Sequence, residues 1–255
     1  MSESGLPFTT PTFQALVALN NMAVTMMKRG CFRQAYKTMK DAVLILKRQA
    51  SVRRQSPVQT NVGPSIAILF PKAEEWCTSP EILSSRSTCV TVVSHNSAPQ
   101  ANDFVSPNRL AVRTRYCLIR IEEQEFYEAS LDREASDLLT AIILYNLGVV
   151  LLCRATISTK DFLLTHLRAK AIYLMKASQR LLASLYSNSE NIFLIPQELF
   201  VSAVLLRTLI QVYEAGGESD ELRTCRLSLE QLKTLLMTWG CPLNLAFEAA
   251  VAAAA

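Results

Sequence analysis

The chain of 255 residues has two histidines, His95 and His166, for acid–base or metal chemistry. Cys89 lies six residues before His95, a spacing at which a thiolate and an imidazole can pair, although two unrelated loop residues give the same pattern. His166 lies among leucines on a predicted helix, where a half-buried histidine satisfied by its neighbours is the usual interpretation. The sequence has no glycine-rich phosphate loop, no His-Glu-x-x-His and no Gly-x-Ser-x-Gly. We therefore predict no catalytic, cofactor-binding or metal-binding residues.

The seven cysteines are widely scattered, and no two of them form a Cys-x-x-Cys pair. An odd number of dispersed thiols is typical of proteins from a reducing compartment. The opening residues, Met-Ser-Glu-Ser-Gly-Leu-Pro, show neither the basic region nor the apolar core of a secretory signal. We expect an intracellular protein, cytoplasmic or nuclear, whose thiols are reduced and mostly structural.

The composition favours helices. Half of the residues are apolar and 19% are charged, which excludes disorder over the whole chain. Glycine occurs only seven times, and six of the ten prolines fall in residues 57–107, so long stretches on either side are poor in helix breakers. Residues 138–153 carry no charge, but sixteen helical residues span roughly 24 Å, less than the roughly 30 Å hydrocarbon core of a membrane. We predict an all-α fold, with a buried core helix in that segment.

The clearest helical pattern lies in residues 1–50. Apolar residues recur at steps of three and four on both sides of Gly30, which follows a basic pair and is a favourable helix stop. Small Ala23 and Ala35 allow two helices to approach closely. This segment therefore predicts an antiparallel helical hairpin, with these apolar positions: Phe13, Leu16, Leu19, Ala23, Met26, Ala35, Met39, Ala42 and Leu46.

Two further copies of the pattern follow in residues 122–240. The better copy opens at Leu144-Tyr-Asn-Leu-Gly-x-x-Leu151, and a degenerate one runs through Tyr213 and Gly217. With the first hairpin, these segments resemble tetratricopeptide-like repeats. The resemblance implies an irregular α–α superhelix of about three helical hairpins. Helices are predicted over about 134–154, 160–186, 196–215 and 219–238.

The same resemblance implies a function. Proteins of this family hold an extended peptide or a partner helix in the groove of the superhelix and usually perform no catalysis. We therefore expect a protein–protein interaction adaptor or scaffold without an active site. One well-known subtype grips a C-terminal carboxylate with basic residues, and most of those positions hold other residue types here, so we do not predict that activity. The groove positions, our candidate partner-binding residues, hold Val17, Asn20, Asn21, Val24, Met27, Lys28 and Asn146.

Residues 51–121 interrupt the helical pattern with Ser, Thr, Asn and Pro. We predict a flexible, largely disordered insertion after the first hairpin, because such a long irregular segment is uncommon inside a packed domain. Short strand-like runs occur in it at 64–70 and 88–93, without evident partners, and residues 109–121 are compatible with one extended strand. The alanine-rich residues 241–255 are predicted to form a frayed C-terminal tail.

The net charge of +4 conceals two opposed regions. Residues 28–54 contain nine basic residues and one acidic residue, a local charge of +8, whereas residues 122–137 have a charge of −6. The two regions can neutralise each other within the fold, or each can face a partner. Binding of RNA or another polyanion is therefore an alternative function, with a candidate basic surface on one helix face: Arg33, Lys37 and Lys40. An enzyme whose type these motifs do not identify is a further alternative.

Ser56 is a candidate phosphorylation site. The segment Arg53-Arg54-Gln55-Ser56-Pro57 fits both basophilic and proline-directed kinases, although short motifs of this kind also occur by chance. A phosphate there would add a charge of about −1.5 to −2 beside the basic helix and favour docking of the insertion onto it.

Overall fold

A computed structural model of the chain describes residues 10–55, 90–96, 115–121, 133–158, 161–188 and 195–238. Helices account for about 90% of this part, which confirms the all-α prediction. The helices are α1 Thr10–Lys28, α2 Phe32–Gln55, α3 Arg133–Thr156, α4 Asp161–Asn188, α5 Ile195–Gly216 and α6 Ser219–Thr238. The strands are β1 Val90–Asn96 and β2 Arg115–Ile121. The four helices predicted after residue 133 begin and end within two residues of their observed bounds, whereas α2 continues five residues into the predicted insertion.

Two tight turns close the first and third hairpins in the same way. Gly30 and Gly217 have φ angles of 74° and 72°, in the left-handed region that glycine adopts without strain. After each glycine, the next residue donates its N–H to a carbonyl five residues earlier: Cys31 to Met26 at 2.9 Å, and Glu218 to Tyr213 at 3.2 Å. This Schellman arrangement satisfies carbonyl groups that a helix end leaves unpaired. The helix stop predicted at Gly30 is therefore confirmed, and Gly217 lies in the gap between the helices predicted over 196–215 and 219–238.

Helices that are consecutive in the chain pack against each other, from α1 and α2 through to α5 and α6. Hairpin partners make the most extensive contacts, and α2 joins the first hairpin to the second by packing on α3. The first helix of each hairpin, α1, α3 and α5, also contacts β2. The strand therefore lies against all three hairpins.

The two strands form an antiparallel pair in which Val92 lies opposite Ile119 and His95 lies opposite Tyr116. Strand β2 is buried in the core: Leu118 and Ile119 are fully buried. Residues 115–121 thus belong to the packed core, although the sequence places them in the flexible insertion. The strand-like run at 88–93, predicted to lack a partner, overlaps β1, which has one. The remaining insertion residues, 56–89 and 97–114, and the tail at 241–255 lie outside the described residues.

Two helices of the described part are long and apolar enough to cross a membrane. They run over Ala135–Thr156 and Glu198–Gly216, and 83% and 61% of their most apolar windows are buried inside the fold. Leu138 and Cys153, which bound the uncharged segment, are both fully buried. In this fold α3 is thus a core helix, as predicted, and its apolar surface is covered by protein.

Candidate functional site

Three buried asparagines lie at the centre of the fold. Asn20 and Asn21 are neighbours on α1, and Asn146 lies on the middle of α3. The Asn146 amide donates through Nδ2 to Asn20 Oδ1 at 2.8 Å, and Asn20 donates to Asn21 Oδ1 at 3.3 Å. Buried amides need partners for both donor and acceptor groups. A continuous chain of amides therefore joins the first helices of two hairpins.

The remaining bonds of these amides go to the main chain of β2. Ile119 donates its N–H to Asn146 Oδ1 at 2.9 Å, and its carbonyl accepts from Asn146 Nδ2 at 2.7 Å and Asn20 Nδ2 at 3.0 Å. Asn21 binds both main-chain groups of Ile121. The Ile121 N–H donates to Asn21 Oδ1 at 3.0 Å, and the Ile121 carbonyl accepts from Asn21 Nδ2 at 2.7 Å. Asn146 and Asn21 thus each bind the N–H and the C=O of one residue in an extended strand, whereas Asn20 binds only the carbonyl of Ile119.

A tyrosine extends this line of contacts to the third hairpin. Tyr145, the neighbour of Asn146 on α3, donates its hydroxyl to the Cys117 carbonyl at 2.7 Å. The same hydroxyl lies 2.9 Å from Thr208 Oγ1 on α5. Burial is the main reason why the pKa of Tyr145 is raised well above its ordinary value, so the phenol remains a neutral hydrogen-bonding group. We call Asn20, Asn21, Asn146 and Tyr145 the polar clamp.

The clamp binds one edge of β2, and β1 pairs with the other. The main-chain polar groups that bind the helices belong to alternate residues, Cys117, Ile119 and Ile121. The main-chain groups of the residues between them therefore point to β1, as an antiparallel pair requires. A strand buried on both faces cannot leave its main-chain groups without partners, because each orphaned group costs about 1–3 kcal/mol. The clamp therefore supplies the hydrogen bonds that a third strand would provide.

The candidate partner-binding residues have different positions in the structure. Val17, Val24 and Met27 are buried apolar side chains of α1, and the three asparagines hold β2. Lys28 is exposed at the end of α1. The groove positions do contact an extended segment, but that segment is part of the same chain. A separate peptide can reach the clamp only by displacing β2, and this corrects our expectation of an accessible groove.

Comparisons with known proteins add no relative. A scan against protein-family models, a search of curated proteins and a search of solved structures each found no match to this chain.

Three of the four described thiols, those of Cys117, Cys153 and Cys225, are buried and are poor nucleophiles at neutral pH. Burial raises the pKa of Cys153 to about 12, and it also raises the pKa values of Cys117 and Cys225. Protonated, buried thiols fit the predicted structural role. Cys89 of the proposed thiolate–imidazole pair lies outside the described residues, so that pair remains untested.

His166 does not belong to a group of metal-ligating side chains. No cluster of three or more His, Cys, Asp or Glu residues in the described ranges has a geometry that could hold a metal ion. His166 is exposed on α4 rather than half-buried, and its ring stacks on Phe162 with the centroids 6.4 Å apart. The sequence missed this aromatic pair, because the surrounding leucines suggested burial.

The basic surface predicted on α2 is exposed. Arg33, Lys37 and Lys40 lie on the solvent side of the helix, and no described carboxylate forms an ion pair with them. Nearby, the Arg154 guanidinium lies 4.3 Å from the centre of the Tyr36 ring and Lys40 lies 5.8 Å from it. This face of α2 therefore exposes its cations to solvent, and the nearby Tyr36 ring is covered by Arg154 and Lys40. Ser56 lies outside the described residues.

Proposed function

We propose that this chain is a protein-interaction scaffold built from irregular tetratricopeptide-like hairpins, without an active site. Three features support the proposal. Consecutive helices pack in chain order, the first and third hairpins turn through equivalent glycines, and the first helix of every hairpin lines the same strand. Stacked hairpins of this kind form extended surfaces that suit protein binding.

The observation that carries the proposal is the double hydrogen bond between Asn146 and Ile119. An amide that binds both main-chain groups of one residue recognises an extended segment whatever its side chains are. This is the contact that a peptide-binding helical groove needs. In this chain β2 takes the place of such a peptide, so the helices and the strand share one core. Partners then bind on the outer faces of the helices.

The test compares proteins captured by the full chain with those captured by a variant that cannot hold the strand. Each is expressed with an affinity tag in the native cell, crosslinked, and analysed by quantitative mass spectrometry. We expect specific partners for the wild type and their loss with Asn20→Leu/Asn146→Leu, because the recognised surface depends on the fold. A set of captured proteins that is identical for both chains would refute the scaffold proposal.

Binding of a polyanion through α2 is the second candidate, and the exposed Arg33, Lys37 and Lys40 favour it. Cations that contact phosphates release counterions, so affinity falls steeply with salt. Because the Tyr36 ring is covered by Arg154 and Lys40, stacking of bases on it is unfavourable, and we expect binding without sequence preference. The test is fluorescence anisotropy with a labelled oligouridine at low and physiological salt. Loss of binding with Arg33→Glu/Lys37→Glu/Lys40→Glu would support this function, and binding unchanged by the variant would exclude it.

A further inference from the structure

Helix α4 exposes a row of side chains that the core does not use. Phe162 is 85% exposed and Tyr173 is 69% exposed, unusual values for large apolar side chains. Spacings of three and four residues place this row on one side of the helix. We call this row the α4 face: the exposed Phe162, His166, Ala169, Tyr173 and Arg180, together with the half-buried Ala177.

The α4 face is independent of the core. The opposite side of the helix buries Leu167, Ala171, Met175 and Leu182 within the core cluster. These residues anchor α4 on the neighbouring helices, so the exposed row is held in place without contributing to that packing. Exposed aromatic residues on a fixed helix are typical anchors of a protein–protein interface.

The shape of the α4 face suits another helix. Tyr173 has Ala169 on one side and Ala177 on the other, so a large side chain alternates with small ones along the row. A helix that packs here can insert its side chains beside Tyr173, as knobs enter holes in a coiled coil. The row extends from Phe162 to Arg180, about 27 Å at 1.5 Å per residue, which is long enough for about five turns of a partner helix.

The charges beside the row indicate what that partner carries. Lys170 and Arg180 are exposed along the helix, and the only acidic residue of α4 is Asp161 at its beginning. We propose that the α4 face binds an amphipathic helix of a partner protein, with an apolar stripe on Phe162 and Tyr173 and carboxylates opposite Lys170 and Arg180. The inference depends on the proposed scaffold function and assigns its partner class. Two exposed cations are few for a phosphate backbone, which favours an acidic protein over nucleic acid.

The binding test uses two labelled synthetic helices of about three heptads. Both have leucine at the a and d positions, and they differ in carrying glutamate or lysine at e and g. We expect the full chain to bind the glutamate peptide at least about tenfold more tightly in fluorescence anisotropy, and Phe162→Ala/Tyr173→Ala to weaken that binding by about tenfold or more. Leu227→Ala is the matched control, because Leu227 is 59% exposed on α6.

Several results would overturn the proposal. Equal affinity for the two peptides would contradict the proposed pairing of partner carboxylates with Lys170 and Arg180. Peptide binding that is unchanged by Phe162→Ala/Tyr173→Ala would show that the peptide binds at another surface. A double variant that keeps peptide binding and loses another ligand would also overturn the proposal. Loss of oligouridine binding would then assign the face to nucleic acid, and loss of binding to phosphatidylserine vesicles would assign it to a membrane surface. Unchanged circular dichroism is expected for each variant, since the replaced side chains are exposed.

A second experiment separates this site from the scaffold function itself. A photo-crosslinking p-benzoylphenylalanine replaces either Tyr173 or, as the comparison, Leu44, which is 48% exposed on α2. Crosslinks from position 173 to an acidic amphipathic helix in the native cell would support the proposal. Crosslinks from position 44 alone would reject the α4 face but keep the scaffold, and the absence of crosslinked protein from both positions would contradict both.

Discussion

Asn146 binds both main-chain polar groups of Ile119, its N–H at 2.9 Å and its carbonyl at 2.7 Å. The two residues belong to different kinds of element, a helix and a strand, yet they pair as two strands of a sheet would. Because Asn146 also donates to Asn20, one side chain links α1, β2 and α3. The centre of this helical fold is therefore a main-chain strand that side-chain amides hold in place.

Replacing this amide should destabilise the fold strongly. Asn146→Leu leaves the Ile119 N–H and Asn20 Oδ1 buried without a partner, so we expect the free energy of unfolding to fall by about 2–5 kcal/mol. Urea denaturation measures the loss, and hydrogen exchange should show the Ile119 amide exchanging faster. Gln231→Leu, which replaces an exposed amide side chain of α6 by leucine, is the control and should change stability by about 0.5 kcal/mol or less. A similar midpoint for both variants would contradict the importance of the clamp.

The absence of a side chain at Gly216 leaves room for a neighbouring arginine. The Arg168 guanidinium donates to the Val212 carbonyl at 2.6 Å and to Glu218 at 3.3 Å, and it occupies the space where a Cβ on Gly216 would lie. Gly216→Ala therefore displaces Arg168, and we expect a loss of about 1 kcal/mol. In an Arg168→Ala background the same substitution should instead stabilise by about 0.5 kcal/mol, because alanine is the better helix former. A double-mutant cycle measured by thermal unfolding checks this reversal of sign, and additive effects would refute it.

The stability of the protein should fall in alkali. Burial raises the pKa of Cys153 from 9.0 to about 12. Between these values the folded state keeps a proton that the unfolded state releases, so this contribution is complete below pH 9 and is lost as the pH rises toward 12. Each such group lowers the free energy of unfolding by up to about 1.4 kcal/mol per pH unit. Urea denaturation measured from pH 8 upward should show that the free energy of unfolding falls less steeply with pH for Cys153→Ala than for the wild type. The same slope against pH in both proteins would contradict the raised pKa of Cys153.

Charge reversal on α2 should separate binding from folding. Lys37→Glu/Lys40→Glu removes exposed cations that form no ion pair with a described carboxylate, so we expect a stability change of about 0.5 kcal/mol or less. Binding of oligouridine or of an acidic partner through this face should fall, as anisotropy would show. A clear loss of stability with unchanged partner binding would instead indicate that these lysines pair with the acidic residues 122–137 within the fold.

Much of the helical framework follows from local signals. The three- and four-residue periodicity of apolar residues located the helices, because that spacing places one face of a helix in the core. Gly30 and Gly217 marked their turns, since few other residues adopt a positive φ at low cost. The repeat spacing also selected Asn20 and Asn21 on α1, which in the structure hold β2 of the same chain. The exposure of the aromatic row on α4 was not predicted, because its apolar residues have the same spacing as those of a buried helix face.

By itself the sequence determined which segments are helical and where the chain turns, because helix formation and capping depend on residues within a few positions of each other. Only the tertiary structure decided what fills the groove. Asn20 and Ile119 are separated by 99 positions in the chain, and Asn21 and Ile121 by 100. Their hydrogen bonds require α1 and β2 to lie side by side, because a buried strand edge pairs with whichever polar groups the fold brings within about 3 Å. That placement puts β2, a segment of the same chain, where the sequence predicted an open groove.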